Sequence, residues 1–173
     1  MVLSFYFSSC EKDDICSDET TPRLIIEFYD VGNPANLKNV LNLKVRGVVE
    51  SGSIEPDFII FNSATNDSKY LFNGNKLELP LRTDGNTTKY RLILNSNGTV
   101  VPSNEDFLEF NYTPQNVYVS RACGYKTTYT LDDAPNGVVK TNAPLPDTFW
   151  IQDINIQTNT ISTENETHIK ILF

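Results

Sequence analysis

Three cysteines are the residues of this sequence whose type and spacing point most directly to chemistry. Cys10 follows a short apolar run, residues 2–7, and two serines. An apolar core, small residues and then a cysteine is the order at the end of a lipoprotein signal peptide, where the cysteine receives the lipid. A hydrophobic N-terminal strand with an ordinary thiol is the alternative. The order of residues favours lipidation at Cys10.

The other two cysteines, Cys16 and Cys123, are the strongest candidates for a disulfide. In an oxidising compartment the bond would close a loop of about a hundred residues, which the chain-entropy model values at roughly 4 to 5 kcal/mol. A nucleophilic thiol at Cys123 is the alternative, and it needs a nearby base. The only histidine, His168, is expected at an edge or on the surface of the last strand. A disulfide is therefore favoured over a catalytic thiol.

Metal sites find little support in the sequence. One histidine is too few for the usual zinc site built from histidine and cysteine. Asp132, Asp133 and Asn136 lie together before Gly137, and their oxygens are of the kind that Ca²⁺ prefers. Their spacing is not that of an EF-hand, and Asp, Asn and Gly are also the ordinary residues of turns. A turn is favoured for this loop, and no metal or cofactor is expected.

Paired carboxylates and exposed aromatic rings would be the residues of a glycan-active protein. Glu109 and Asp153 are candidate acids for a glycosidase, although a solvent-facing position in a strand explains each of them. Most aromatic residues of strands lie in the core, so burial is the expected state for most of these rings. The aromatic residues that could stack on sugars are Tyr118, Tyr125, Tyr129 and Trp150, of which the last three are expected to be buried.

The composition is that of one ordinary globular domain in a chain of 173 residues, 39% of them hydrophobic. A net charge of −8 and the lack of any cluster of Lys and Arg argue against nucleic acid as a partner, because phosphate binding needs clustered cations. Beyond the N-terminal run, no apolar stretch approaches the roughly 18 residues that span a bilayer. A membrane is expected as a partner only through an N-terminal lipid.

The pattern of apolar residues from Pro22 onward has period two, which predicts strands with one face inward. Turn residues recur between these runs, roughly every 8 to 12 residues, as they do in sandwich folds. The sequence therefore predicts an all-β fold. We expect a two-sheet antiparallel β-sandwich, Ig-like or jelly-roll-like, of about nine or ten short strands with little or no helix.

Two apolar runs lead to specific expectations about burial. Leu41, Leu43 and Val45 alternate with polar residues and are expected to point inward together. Residues 58–61 are wholly apolar, which is typical of a short strand covered on both faces.

Two further patterns concern turns. Asn73 and Gly74 are expected to connect residues 70–72 with residues 76–81 in a hairpin, because Asn-Gly readily takes the positive φ angles of a type I′ turn. Pro114 has no N–H to donate and is expected to break the chain before the next strand.

The longest strand-like run follows this proline and spans residues 117–131. It contains Cys123, so the predicted disulfide would fasten the N-terminal segment to this run. The residues predicted to share its inward face are Val117, Val119, Cys123, Tyr125, Tyr129 and Leu131.

The chain is predicted to have three parts: residues 1–9 as the remnant of a lipoprotein signal peptide, residues 10–22 as a lipid-anchored acidic tether, and residues 23–173 as a single β-sandwich domain. Residues 10–16, 21–30 and 120–125 resemble a family of short, uncharacterised lipoproteins of Bacteroidota, especially flavobacteria. Within the tether, residues 12–14 look like the Lys/acidic export signal of such lipoproteins, and a solvated acidic spacer is the alternative.

The resemblance implies a lipid anchor on Cys10, a β-rich domain and a partnership of Cys16 with Cys123. It implies no activity, because the family carries none that is established. The favoured hypothesis is a non-catalytic, lipid-anchored protein of the outer membrane, on the cell surface or the periplasmic face, that binds or scaffolds an envelope protein or a glycan. The alternative is a glycan-active enzyme or a carbohydrate-binding module.

Overall fold

The computed structural model describes residues 16, 20–49, 54–97, 102–142 and 148–173. Cys10 and the predicted signal-peptide remnant lie outside these ranges, within which no helix is long and apolar enough to cross a membrane. The described residues form thirteen strands and one short 3-10 helix, Asp67–Tyr70. The strands are β1 Leu24–Asp30, β2 Asn33–Leu37, β3 Val40–Val48, β4 Ile54–Phe58, β5 Phe72–Gly74, β6 Lys76–Leu79, β7 Thr87–Leu94, β8 Asn104–Ser120, β9 Gly124–Leu131, β10 Val138–Asn142, β11 Asp153–Ile156, β12 Thr160–Ile161 and β13 Ile169–Leu172.

The strands form two sheets that pack together. The five-stranded sheet has the order β11-β13-β1-β2, and β6 also pairs with β1. The eight-stranded sheet has the order β12-β9-β8-β7-β3-β4, with β10 beside β8 and β5 beside β3. Each strand pair that the structure describes is antiparallel except β1 with β13, which is parallel. The predicted two-sheet all-β sandwich is confirmed, with more strands than expected and one parallel pair.

The core lies between the two sheets and takes side chains from both. Alternate residues of β1 point into it, and Leu24, Ile26 and Phe28 are fully buried, as the period-two pattern predicts. Burying an apolar side chain of this size stabilises the fold by about 1.5 to 3 kcal/mol. Fully buried partners from the eight-stranded sheet include Val45, Leu92, Leu108 and Phe110.

The inward row predicted for β3 is interrupted at Asn42. Val40, Leu43 and Val45 are fully buried, whereas Leu41 is 56% exposed. Asn42 has a positive φ of 51°, and the pairing of β3 with β5 shifts register between Val40 and Leu43. An extra residue in a strand reverses the faces on which the flanking side chains lie. The prediction for Leu41 is therefore wrong, while those for Leu43 and Val45 are confirmed.

The hairpin predicted at Asn73 and Gly74 does not form. β5 pairs with β3 in the eight-stranded sheet, whereas β6 pairs with β1 in the five-stranded sheet. Neither Asn73 nor Gly74 has the positive φ that a type I′ turn requires. Leu77 and Leu79 of β6 are fully buried in the core. The chain crosses from the eight-stranded to the five-stranded sheet here, so these leucines enter the core from the side opposite to β5.

The strand predicted at residues 58–61 is also wrong. β4 ends at Phe58, and the next residues are not in a sheet. Ile59 and Phe61 pack against the core, but Ile60 between them is 62% exposed. A short apolar run does not distinguish a strand covered on both faces from a segment that rests alternate side chains on a sheet edge.

The break predicted at Pro114 does not occur, because β8 continues through this residue. The N–H of Tyr112 donates to Asn86, on the side of β8 away from β9. Successive N–H groups of a strand alternate sides, so the nitrogen of Pro114 lies on that same side, beyond the end of β7. Proline is tolerated in a strand where its missing N–H has no ladder partner.

Candidate functional site

A hairpin formed by β8 and β9 is the most distinctive surface feature of the described chain. Residues 117–131, predicted as one continuous run, instead turn back at residues 121–123. Gly124 has a positive φ of 70°, which glycine adopts without strain. The N–H of Cys123 donates to Oγ of Ser120 at 3.1 Å and closes the turn. The predicted shared face is therefore divided between two strands.

The hairpin tip comprises Val117, Tyr118, Arg121, Cys123 and Tyr125. Residues 115–118 of β8 are all exposed, so both faces of the hairpin lie outside the core here. Tyr118 is 58% exposed and Tyr125 is 72% exposed, and their ring centroids are 5.4 Å apart with the planes at 70°. The burial predicted for Tyr125 is wrong because the sandwich does not extend as far as the hairpin does. The tip presents two adjacent aromatic rings and one cation to solvent.

A disulfide joins Cys16 to Cys123 at the hairpin tip, with their Cα atoms 4.9 Å apart. Oγ1 of Thr21 accepts a hydrogen bond from the N–H of Thr127 in β9 at 3.0 Å, so residues 16 and 21 both contact the hairpin. The disulfide favoured from the sequence is thus present, and the sulfur of Cys123 is not a nucleophilic thiol. Cys16 is thereby fixed at the hairpin tip.

An open cleft of about 480 Å³ lies beside the same segment. Nε and Nη2 of Arg23 donate to the two carboxylate oxygens of Glu164 at 2.8 and 2.6 Å, and Nη1 lies 2.7 Å from Oε2 of Glu78. The hydrogen bonds from Arg23 lower the pKa of Glu164. Arg23 is thus held between two carboxylates, and its hydrogen-bonding groups are engaged with Glu164 and Glu78 rather than directed to a ligand. Its lining residues are Thr20, Thr21, Pro22, Arg23, Glu164 and Asn165.

His168 is fully buried, and the prediction of an edge or surface position is wrong. Its side-chain Nδ1 accepts the backbone N–H of Ile25 at 2.9 Å, and the backbone N–H of His168 donates to the carbonyl of Ile25 at 3.1 Å. Burial lowers the pKa of His168, and the charge of Glu166 opposes this only in part. A proton on Nδ1 would also face the Ile25 N–H. The folded chain therefore holds a neutral imidazole that serves the β1–β13 junction.

The stability of the protein is expected to fall as the pH drops from about 6.5, the ordinary histidine pKa, toward 5. As the pH falls, the unfolded chain binds the proton before the folded chain does, because folding lowers the pKa of His168. The contribution of the neutral imidazole to the free energy of unfolding is therefore fully present above pH 6.5 and is lost below it. The free energy of unfolding should change by up to about 1.4 kcal/mol per pH unit. Urea unfolding at a series of pH values measures the slope.

The matched variant is His168→Asn, whose side-chain oxygen can accept the Ile25 N–H without titrating. Because the chain has one histidine, this variant is expected to flatten the profile between pH 6.5 and 5. An unchanged slope in His168→Asn would contradict the assignment.

Three buried tyrosines donate hydroxyl hydrogen bonds to the carbonyl oxygens of residues 80–82, the segment that leads from β6 toward β7. The burial predicted for Tyr129 is confirmed, since it is 1% exposed. Burial raises the pKa of Tyr129 to about 12 and raises those of Tyr90 and Tyr112. The bonds run from Tyr90 to Pro80, from Tyr129 to Leu81 at 3.1 Å and from Tyr112 to Arg82 at 2.9 Å.

Tyr129→Phe is expected to lower the free energy of unfolding by about 1 to 2 kcal/mol, because the buried Leu81 carbonyl loses its donor. In the wild-type protein, the contribution of the protonated Tyr129 hydroxyl to the free energy of unfolding should be fully present below pH 10, the ordinary tyrosine pKa. It should be lost as the pH rises toward about 12, because the unfolded chain ionises first. Urea unfolding measures the effect of the substitution, and phenolate absorbance measures the ionisation. Tyr125→Phe, at an exposed ring, is the control, and an equal loss in both variants would contradict the role of the hydroxyl.

The acidic loop between β9 and β10 is a hydrogen-bonded turn, as the sequence favours. The N–H groups of Asn136 and Gly137 donate to the carbonyl of Asp133 at 2.9 and 3.2 Å, and Nδ2 of Asn159 donates to its Oδ1 at 3.0 Å. A Cβ at Gly137 would collide with the carbonyl of Asp132, so glycine is required there. In the described ranges no group of three or more His, Cys, Asp and Glu side chains gathers as metal ligands would.

The two candidate carboxylates lie in different sheets. Glu109 in β8 is opposite Lys89 in β7, and Nζ of Lys89 lies 3.5 Å from Oε2 of Glu109. Asp153 in β11 is exposed and accepts a hydrogen bond from Asn155 at 3.1 Å. Each acid has a local partner on the surface of its own sheet. Trp150, the remaining aromatic candidate, is 6% exposed, and its predicted burial is confirmed.

Comparison with known proteins identifies the family of the chain. The model of a family of unknown function, DUF6452, matches residues 42–173, which is more than half of the sequence. The chain belongs to this family. The matched DUF6452 residues include Cys123 and the whole β8–β9 hairpin, whereas Cys16 and β1 precede them. No curated protein and no solved structure matches the chain.

The hairpin tip of this DUF6452 chain is the feature that the sequence reasoning missed. When the alternation of apolar residues is continued through residues 121–123, it predicts that Tyr125 lies on the same face as Tyr129. A signal was present at Gly124, since a glycine inside a strand pattern indicates a bulge or turn. With the turn placed there, Tyr118 and Tyr125 become direct cross-strand neighbours.

Proposed function

We propose that this chain is a lipid-anchored, non-catalytic envelope protein of the Bacteroidota lipoprotein type. An acyl group on Cys10 attaches it to the outer membrane, on the cell surface or the periplasmic face, where the β-sandwich binds or scaffolds an envelope protein or a glycan. The observation that carries the proposal is the disulfide between Cys16 and Cys123. Structural disulfides persist in oxidising compartments such as the periplasm and the cell surface and are rare in the cytosol.

The roles of the candidate catalytic groups support the non-catalytic part of the proposal. The Cys123 sulfur is bonded to Cys16. His168 is buried and holds the backbone of Ile25. Glu109 pairs with Lys89 on the surface of the eight-stranded sheet. Each of these groups is accounted for by a structural contact, and catalysis would require it to give that contact up.

Metabolic labelling with a tagged fatty acid tests the anchor. The wild-type chain, expressed in a bacterium that processes lipoproteins, is expected to carry the label and to appear in the outer-membrane fraction. Cys10→Ala is expected to lose the label, because the thiol is the acyl acceptor. Cys16→Ala is the matched control and should remain labelled. Label that persists in Cys10→Ala would sink the proposed anchor.

A carbohydrate-binding role is the second candidate function, and the exposed rings of Tyr118 and Tyr125 are the observation that favours it. Aromatic faces can stack on sugar rings, but the two planes are at 70° to each other and do not form a flat platform. Titration of the protein with soluble fragments of envelope polysaccharide tests this role. Saturable binding that Tyr125→Ala abolishes would favour it over scaffolding of a protein.

A further inference from the structure

The direction in which the chain enters the sandwich constrains how an anchored molecule sits on a membrane. Thr21 is bonded to Thr127 in the middle of β9, and Cys16 is bonded to Cys123 at the beginning of β9. The two described contacts therefore shift from the middle of β9 to the hairpin tip between Thr21 and Cys16. Cys16, the residue to which any N-terminal anchor is connected, is fixed at the tip.

The length of chain between Cys10 and Cys16 is short compared with the sandwich. Six residues, the difference in their numbers, span at most roughly 20 Å when fully extended. β8 alone extends about 45 Å from Asn104 to Tyr118 at its usual rise per residue. Leu41 lies at the far end, where its carbonyl accepts a hydrogen bond from Asn95 in the turn after β7. A lipid on Cys10 therefore keeps the hairpin tip within roughly 20 Å of the bilayer, whereas it sets no such limit on the distance of the Leu41 end.

The chemistry of the hairpin tip fits the polar–apolar boundary of a bilayer. Tyr118 and Tyr125 are 58% and 72% exposed, and tyrosine is enriched at membrane–water interfaces because its ring is apolar and its hydroxyl is polar. Val117 is 37% exposed and adds apolar surface on the opposite face of the hairpin. Arg121 is exposed at the turn, where a cation can meet lipid phosphates.

From the reach of the tether and the exposed rings we infer that the hairpin tip is a second, non-covalent membrane contact, seated in the headgroup region of the bilayer that holds the Cys10 lipid. This inference rests on the proposed anchor. The disulfide is then the device that orients the protein, because it shortens the tether to the distance at which the tyrosines meet the lipid. The opposite end of the sandwich, around Leu41, faces away from the membrane.

Fluorescence quenching by lipid tests the contact. The full, acylated chain is reconstituted in vesicles of phosphatidylethanolamine and phosphatidylglycerol with brominated acyl chains, which quench only nearby tryptophan. Tyr125→Trp is expected to show a blue shift and a loss of the added emission. Leu41→Trp, a substitution at a similarly exposed position (56%), should keep its added emission. Both variants retain the buried Trp150 as a common background and as a check that the chain is folded.

A third variant tests the role of the disulfide. Tyr125→Trp combined with Cys16→Ser releases the segment as far as Thr21, which adds five residues of reach. Quenching at position 125 is expected to decrease toward the value at position 41. Equal quenching with and without the disulfide would overturn the orienting role.

The mass of the acyl group is measured in the same samples, so that the two proposals fail differently. Acylated protein whose Trp at position 125 is unquenched, or is shielded only when a soluble glycan is added, overturns the membrane contact alone. Protein without acyl mass overturns the anchor and the membrane contact together.

Discussion

Replacing Cys16 and Cys123 with serine is expected to lower the free energy of unfolding by about 4 to 5 kcal/mol in the chain-entropy model. The bond joins residues 107 apart in sequence, so its loss frees a long loop in the unfolded chain. This loss is large compared with the net free energy of unfolding of a whole domain, which is about 5 to 15 kcal/mol. Urea unfolding of the full chain under oxidising conditions, followed by circular dichroism, measures the change.

The single variants Cys16→Ser and Cys123→Ser provide the control for this prediction. Each lacks the same bond. With a reducing agent present, the two single variants, the double variant and the wild-type protein should therefore all have the same free energy of unfolding. A double variant that unfolds within about 1 kcal/mol of the oxidised wild type would show that the unfolded chain is already constrained, contrary to the loop-entropy argument.

Trp150→Ala is expected to destabilise the protein by about 3 to 5 kcal/mol, the usual range for a large aromatic residue removed from a core. Its ring centroid lies 6.3 Å from that of Phe28 in β1 and 5.8 Å from that of Phe173, which follows β13. The next residue, Ile151, donates its N–H to Oδ2 of Asp106 in β8 at 2.8 Å. Loss of the ring therefore opens a cavity where the chain is held to both sheets.

The matched variant Trp150→Phe separates packing from the polar group of the indole. The indole Nε1 is buried, and among the described residues it has no hydrogen-bond partner. A phenyl ring removes that group and keeps much of the aromatic contact, so we expect roughly half of the loss seen for alanine. Leu41→Ala, at a 56% exposed side chain, should change the stability by less than about 0.5 kcal/mol. Circular dichroism is the readout because the chain has one tryptophan. Equal losses for Trp150→Phe and Trp150→Ala would refute the cavity account.

The proposed membrane contact depends on the same disulfide that stabilises the fold. This bond holds Cys16 at the hairpin tip. Its removal is therefore expected to have two separable effects, on unfolding in solution and on the depth of the tip in vesicles.

Local order was predictable wherever one strand stays in one sheet. The inward row of Leu24, Ile26 and Phe28 and the buried row of Leu108 and Phe110 follow from alternation alone, because side chains of a strand point to opposite faces in turn. The all-β class follows from the same period, since no helical spacing competes with it. The sequence also favoured a disulfide between Cys16 and Cys123 over a catalytic thiol, and the structure contains this bond.

Sheet membership and burial depended on the tertiary structure. β5 and β6 enter different sheets although one residue separates them, and the local turn residues carry no information about which distant strand each will meet. His168 is buried by its contact with Ile25, a residue 143 positions away. Leu41 is exposed because Asn42 interrupts the register of β3.

The alternation of side chains is a property of neighbouring residues, so it can be recognised in the amino-acid sequence. That alternation, with its period of two, also indicates the class of fold. Whether Tyr118 and Tyr125 lie in a core or in solvent depends on where the sandwich ends relative to the hairpin. That boundary is set by contacts between strands far apart in the chain, because a side chain is buried only if another sheet reaches it. The tertiary structure therefore decided at which end of the sandwich Cys16 is fixed and which aromatic rings are exposed there.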